Sequence, residues 1–549
     1  MKIETFVIPK KDKEIFIKPI YKDIPGLIEL NKERFQSYNF NINGIPFSKF
    51  RKQARTEILK KAREYSEKLW FTCSKLKIIS KKDLPSIHNS YTPDKTIIQT
   101  GHPPILAHPG IMVKNKLVNS ISKSVNGIGI NMVVDNDGCH DNYLNIPKIN
   151  GLSSSMEKIE FVSRLYNLAF EEVRYTDATQ LTAFKKNVLR IISNPDMKKT
   201  FKDFIDMVIA LSKETKSLGD LFTYSIHSYL QRFSISNLEI PVSLISETES
   251  FLNFFLHIVG DIRNFVRIYN AKLGEYRKLK KISSKANPLP DLMVKEDMIE
   301  LPFWIWKKNE PRERLFASVT SDKHVSLVSE NIVVADLDFY GKVNSSENLR
   351  KIKILINAGM KIRPKAIITT MYSRMFFSDL FIHGVGGAKY DLVTDEIIRA
   401  FFGVEPPGHA TITATLHLPY KPYNASGKDI RVLKQDINDM NYNPERYAPR
   451  ETMEDVGMRS MISEKKDLIA RETHDSKERR WIFNRLKQLN ALMKEKIKPL
   501  IDEKETEIEQ IEKKLMYNSI VTNREYLFCI YPESMLRELF KLEPFNSPK

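Results

Sequence analysis

Thr96-Ile-Ile-Gln-Thr-Gly-His102, the stretch from Met112 to Ser124, and Gly127-Ile-Gly-Ile-Asn-Met-Val-Val-Asp135 form the passage whose reading decides the fold. The first piece reads as a short buried strand ending at a glycine turn, and the last as a second strand ending in carboxylates. Between them Val113, Leu117 and Ile121 fall on one face of a helix. Strand, helix, strand is the unit of a parallel α/β sheet.

Upstream, residues 1–95 form an N-terminal part of the core, with a β-like piece at Glu14-Ile-Phe-Ile-Lys-Pro and a helix through Phe47 to Trp70, where Phe50, Ala54, Ile58, Ala62, Tyr65 and Leu69 share a face. The first half of the core spans 96–155. Residues 156–290 then read as a helical insertion, with segments at Ile159 to Val173, Thr182 to Ile192, Phe201 to Ser212 and Glu249 to Lys281, closed by the stiff linker Asn287-Pro-Leu-Pro-Asp. Over 291–435 the strand-like runs Leu301-Pro-Phe-Trp-Ile-Trp, Leu315-Phe-Ala-Ser-Val, Val325-Ser-Leu-Val, Ile332-Val-Val-Ala-Asp and Lys365-Ala-Ile-Ile-Thr-Thr, with a helix at Leu349 to Ile356, predict the second half of the core. Residues 436–516 predict a helical hairpin or coiled coil, in which Trp481, Leu486, Leu489, Met493, Ile497, Leu500, Ile508, Ile511 and Leu515 recur every three or four residues, and 517–549 pack back on the core. Pro499 and the Leu500-Ile501 pair break a strict heptad. The fold class expected is therefore α/β: a Rossmann-like parallel sheet interrupted by a helical insertion, with C-terminal helices.

The 549 residues supply ample core, and 86 Lys plus Arg against 68 Asp plus Glu leave a net charge of +18. Such a balance suits phosphate tracking along nucleic acid. The basic runs, such as Lys60-Lys61 and Lys494 to Lys498, are short and scattered, so solvated surface is the favoured reading over nucleic acid. Cys73, Cys139 and Cys529 form no CxxC, which excludes a zinc ribbon or disulfide framework and fits a reducing, cytoplasmic setting. No stretch offers about 18 uncharged apolar residues, so no membrane span is expected.

Three clusters carry candidate chemistry. In Gln99 to Asn115, the strand end Thr100-Gly101-His102 is followed by His108-Pro109-Gly110 and a helix bearing Lys114 and Asn115. A helix N-terminus beside a strand end, with a lysine and two histidines, suits a phosphate. In the second cluster Asp135 and Asp137 follow a buried strand, where carboxylates hold a ribose hydroxyl, a magnesium ion or an amine. A calcium loop is excluded, because Cys139 and His140 stand where a ligand and a glycine are needed. The third places His383-Gly384, Gly386-Gly387, Lys389 and Asp391 after an apolar run, with Arg363 and Arg374 upstream. Three glycines in four residues permit close approach of backbone to a ligand. For each cluster a plain structural turn is the competing reading.

In order, Thr-Gly-His, Pro-Gly with Lys-Asn on the next helix, Asp-Asn-Asp after a strand, then Arg-Pro and Gly-x-Gly-Gly resemble the bacillithiol-biosynthesis cysteine-adding enzymes. Those enzymes carry a Thr-Gly-Gln-Gln turn, a Glu-Asp-His-Asp strand end and a later Gly-Gly-Pro-Gly-Glu segment. The resemblance implies a core related to the nucleotide-binding half of class I aminoacyl-tRNA synthetases, and dimerisation through a coiled coil. It would set Thr100, Gly101 and His102 beside a nucleotide, with Gly384, Gly386 and Gly387 as the later glycine segment. Two departures stand out: His102 replaces an amide, and Asn136 interrupts the acidic run. The expectation is an ATP-dependent amide-forming ligase with ATP and magnesium as cofactors. Its catalytic candidates are His102, Asp135, Asp137 and His383. Its nucleotide-binding candidates are Thr100, Gly101, Pro109, Gly110, Lys114, Asn115, Arg363, Gly384, Gly386, Gly387, Lys389 and Asp391. A small-molecule substrate and a homodimer through the C-terminal helices complete the expectation. The alternatives are a non-catalytic nucleotide- or RNA-binding protein and a coiled-coil scaffold.

Overall fold

Apolar residues set two steps apart in the short runs, and three or four apart in the long ones, sort the chain into strands and helices. The computed structural model describes residues 5–80, 92–140, 142–162, 168–174, 178–284, 286–296, 298–321, 324–329, 332–339 and 341–545. β1 (Ile15–Lys18) precedes the helix Ile24–Ser37, the small hairpin β2 (Asn41–Ile42) and β3 (Ile45–Pro46), and the 29-residue helix Phe47–Lys75. Next come β4 (Ile97–His102), the helix Pro109–Ser124 and β5 (Ile128–Val133). A hairpin of β6 (Tyr143–Asn150) and β7 (Ser153–Glu160) leads to helices Ala178–Ile191, Pro195–Leu211 and Leu218–Gln231, then β8 (Leu238–Pro241). After helices Glu249–Gly260 and Ile262–Lys280 follow β9 (Val294–Lys295), β10 (Met298–Lys307), β11 (Glu313–Ser321), β12 (His324–Ser329), β13 (Ile332–Asp338), the helix Gly341–Asn357 and β14 (Met360–Pro364). The helices Ala366–Tyr372 and Val385–Phe402 flank β15 (Leu380–His383), and β16 (His409–Ala414) closes the set.

Six strands form the main sheet in the order β1-β16-β15-β4-β5-β8. All neighbours are parallel except β1, which runs antiparallel to β16. β4 and β5 pair over their whole length, from Ile97 opposite Ile128 to His102 opposite Val133. Their crossover helix presses Val113, Leu117, Val118 and Ile121 onto the sheet, each all but inaccessible to water. Pro109 at its first turn and His108, whose Nδ1 accepts the Gly110 amide at 3.1 Å, fix where it starts. At the opposite edge, the Asp379 carboxylate accepts the Ile97 amide at 2.7 Å and pairs with Arg51 at 2.7 Å and Arg55 at 3.1 Å. This buried trio pins the long helix Phe47–Lys75 to the entry side of β15.

Several expectations are corrected here. The region 156–290 is not wholly helical: β7 extends through Glu160, the described residues 168–174 are turns and bridges, and β8 is a full member of the main sheet. The rest of the expected helix, 163–167, lies outside the described residues. The segment Glu249 to Lys281 is two helices broken at Asp261. Of the expected second half of the core, 291–435, only β15 and β16 join the main sheet. Strands β9 to β14 form a separate antiparallel sheet, β13-β12-β11-β10-β14 with β9 on β10. Lys365-Ala-Ile-Ile-Thr-Thr is helix, not strand, because β14 already ends at Pro364 and all of Ile367 to Tyr372 is buried among other elements.

The described chain divides into two compact units, 1–146 with 158–418 and 524–549, and 147–157 with 419–523. In the second unit the 46-residue helix Ser476–Val521 packs against Gly427–Tyr442 and Val456–Ala470 through three apolar clusters centred on Leu489 and Met493, Ile508 and Ile511, and Ile497 and Ile501. The helix runs through Pro499. Trp481, counted above on the apolar stripe, is instead 53% exposed. Among the described residues no helix is long and apolar enough to cross a membrane.

Candidate functional site

The carboxyl ends of β4 and β15 leave the sheet in opposite directions, and between them lies a cavity of about 520 Å³. Gly101 and His102 from β4, and His383, Gly384, Gly386 and Gly387 from β15 and the helix after it, form its base. That helix is 18 residues long and begins at Val385, so its first amides face the cavity without intrahelical partners. Gly387 has no room for a side chain, since a Cβ would lie 2.9 Å from His383 Nδ1.

Cations surround this base. Lys114 is buried, its Nζ donates to the Gly101 carbonyl at 2.7 Å, and burial pushes its pKa down to about 7. Arg524 enters from the C-terminal segment, where its guanidinium donates to Thr413 Oγ1 at 2.7 Å and to Thr415 Oγ1 at 3.3 Å. From the antiparallel sheet, Trp304 carries Lys365 at 4.7 Å and Arg312 at 5.1 Å from its ring. Arg312 in turn donates to the Asn136 carbonyl at 2.9 Å and lies 3.5 Å from Asp137. The Asn136 side chain donates to the Pro364 carbonyl, while its Oδ1, buried against the cavity, has no partner among the described residues. A buried acceptor left open is costly unless a ligand donates to it.

Two histidines differ sharply in support. His102 has its Nδ1 2.9 Å from the Pro103 carbonyl, and burial beside Lys114 pushes it down to about 3, so it is a neutral imidazole at physiological pH. His383 lies 2.7 Å from Asp391, whose carboxylate also accepts from Arg374 at 2.5 Å and from Thr370 at 2.9 Å. Burial lowers His383 while Asp391 opposes that shift. The arrangement is a histidine oriented by a buried carboxylate, the pattern of a general base. One ligand atom from each of His383, Asp391 and His409 falls within 4.8 Å of the others. Arg374 and Thr370 already donate to Asp391, the first as a buried guanidinium, so the set reads as an ion-pair network rather than a metal cage.

The cavity therefore gathers Gly101, His102, Lys114, Asp137, His383, Gly384, Gly386 and Gly387 of the expected residues. The others stand elsewhere. Thr100 ties β4 to β15 by donating to the Ile382 carbonyl at 2.7 Å. Pro109 and Gly110 start the crossover helix, and Asn115 faces a separate space of about 40 Å³. Asp135 points to the far side of β5, where Ser243 donates to it through both amide and hydroxyl. Arg363 is fully buried, with its guanidinium on Glu171 and Glu247, and so is unavailable to a phosphate. Lys389 is exposed outside the cavity, and Asp391 acts beneath His383 rather than at the surface. Sequence reasoning did not single out Trp304, Arg312, Tyr390, Thr413 or Arg524, all of which line the cavity. Trp304 lies inside the uniformly apolar run Leu301 to Trp306, whose sequence does not mark which side chain faces the cavity. Arg524 had no signal either, because only the return of the C-terminal segment brings it to β16.

The chain matches no protein-family model, and no curated protein matches its sequence.

Proposed function

We propose that the protein is an ATP-dependent, amide-forming ligase built on a Rossmann-like core. The observation that carries this reading is the cavity's position. Numbered by chain order, the parallel strands run 3-2-1-4-5 across β8, β5, β4, β15 and β16, the doubly wound order of nucleotide-binding sheets. Ligands of such sheets sit outside the strand ends where the order reverses, here between β4 and β15. The cavity volume lies inside the roughly 300 to 1,000 Å³ typical of small-ligand sites.

Each wall has a task in this reading. The first amides of the helix Val385–Phe402, with Lys114 and Arg524, neutralise phosphate oxygens. The open Asn136 Oδ1 accepts from a ribose hydroxyl or an amino group. Asp137 is the carboxylate placed to hold magnesium together with phosphates, which suits an ion that takes one or two protein carboxylates. ATP supplies the activation of a carboxylate, and His383, oriented by Asp391, takes the proton from the attacking amine. Asp135, on the far side of β5, has no part in this site. The helices Val456–Ala470 and Ser476–Val521 are the proposed dimer contact, supported by exposed Ile469, Trp481, Phe483 and Leu492.

Binding of a fluorescent ATP analogue tests the site. The wild type is expected to bind it with competition by unlabelled ATP, and Arg524→Ala to bind about tenfold more weakly, as for loss of one charge-assisted contact. Equal affinity in the two proteins contradicts the assignment of the phosphates to this end of the cavity.

A further inference from the structure

Lys114 stands one turn into the crossover helix, 3% exposed at the base of the cavity, and its Nζ meets the Gly101 carbonyl at 2.7 Å. Burial sets its protonation with no carboxylate opposing, which is why it is held down to about 7. At neutral pH about half of the unliganded chains therefore present a free amine rather than an ammonium. One N–H of that amine suffices for the Gly101 carbonyl, and its lone pair is left for an electrophile. A desolvated lysine of this kind is the nucleophile that forms imines with carbonyl compounds.

Its surroundings say which carbonyl compound fits. A Cβ on Gly384, the residue before the helix Val385–Phe402, would lie 3.9 Å from Lys114 Cδ, so the lysine side chain runs beside the first amides of that helix. A Cβ on Gly110 would lie 2.5 Å from Arg524 Nη2. Gly110 and Lys114 are four residues apart, so the guanidinium and the lysine share one face of the crossover helix, about one 5.4 Å turn apart. Arg524 pairs at 3.1 Å with Glu525, whose side chain is 61% exposed, so solvent screens that partner. Burial, then Arg374 and Lys114, lower His383 against the pull of Asp391, which sets the imidazole within electrostatic reach of the amine. A buried amine, an anion cradle a turn away and a histidine to move protons are thus gathered in one cavity.

We propose that, when no nucleotide is bound, Lys114 condenses with a phosphorylated aldehyde or ketone whose phosphate takes the helix amides and Arg524. The Nζ–C bond forms as the carbonyl π pair moves to oxygen. Both N–H protons pass to that oxygen, carried by His383, and it leaves as water as the C=N bond closes. No oxidant, reductant or further reactant is consumed. This activity goes beyond the nucleotide reading and shares with it only the groups that bind anions.

The full chain, treated without nucleotide with pyridoxal phosphate or with pyridoxal, which lacks the phosphate, tests it. Adducts are fixed with borohydride and located by peptide mass spectrometry, and the exposed Lys389 serves as the reference in each reaction. With pyridoxal phosphate the rate at Lys114 is expected to exceed that at Lys389 by at least about tenfold, and with pyridoxal this ratio should fall about tenfold, as for loss of the charge-assisted contacts. Arg524→Ala, checked for folding by circular dichroism, should lower the ratio for pyridoxal phosphate severalfold. A wild-type ratio near one, the same ratio with both aldehydes, or a ratio unchanged in Arg524→Ala would overturn the proposal. The adduct is read in the absence of nucleotide, so its outcome stands apart from whether MgATP binds.

Discussion

Asp391 and Lys114 are the residues on which the site's electrostatics turn. Asp391 is fully buried and joins Arg374, His383 and Thr370. Removing its charge leaves the Arg374 guanidinium, 2% exposed, with Asp395 as its remaining carboxylate. Asp391→Asn should therefore lower unfolding stability by about 3 kcal/mol, read from the urea midpoint, whereas His383→Gln, which spares the Arg374 pair, should cost less. Lys114 sets a pH dependence. Burial holds the unliganded amine down to about 7, and a bound phosphate would raise that value. Above about pH 7 the complex then holds more proton than the free protein, so ATP affinity should fall as pH rises from about 7 to 9, by up to tenfold per unit, and calorimetry in buffers of different ionisation heat should register proton uptake. In Lys114→Met both effects should vanish. The importance of Lys114 was legible from its place one turn into a helix after a strand. Its tether to Gly101 was not, nor was the opposite facing of Asp135 and Asp137, because a turn's side-chain directions depend on backbone angles that spacing does not encode.

Elements were legible where one period ruled a segment. Over 97–133 the continuous apolar run of β4, the one-faced helix and the alternating β5 are each bounded by turn residues, and the observed ends differ from the expected ones by a few residues. The failures came from apolar runs without a polar face. Ile367 to Tyr372 is buried on all sides, so helix and strand look alike there in sequence. β8 was hidden in a helical neighbourhood because it is only four residues long, with every residue buried. At this scale glycine positions make separable predictions. A Cβ at Gly110 would lie 2.4 Å from the Ala414 carbonyl, so Gly110→Ala must displace the crossover helix from β16 and should cost about 1 to 3 kcal/mol in thermal or chemical unfolding. Gly386 meets nothing within 4 Å, so Gly386→Ala should unfold within about 0.5 kcal/mol of wild type.

For the molecule as a whole, several of the 86 Lys and Arg residues behind the +18 charge have local roles. Arg51, Arg55, Arg363 and Arg374 are buried in ion pairs, while Lys114, Arg312, Lys365 and Arg524 line one cavity. Chain order alone could not disclose that residues 524–549 belong with the first unit, and so could not place Arg524. The long helix Ser476–Val521 belongs to the second unit and leaves Trp481 and Phe483 more than half exposed. If these helices join two copies, deleting 452–516 should lower the mass found by light scattering from dimer to monomer while ATP binding by the first unit persists. An unchanged mass removes the dimer proposal.

The central claim is that nucleotide binds where the strand order reverses between β4 and β15. Titration of MgATP into the wild type and into Gly386→Val measures this most directly, because valine there has space in the folded chain yet fills the approach to the helix amides. The account predicts submillimolar binding near one equivalent to the wild type and a loss of at least about tenfold in the variant. No heat of binding to the wild type at millimolar MgATP, or equal affinity in both proteins, would contradict it.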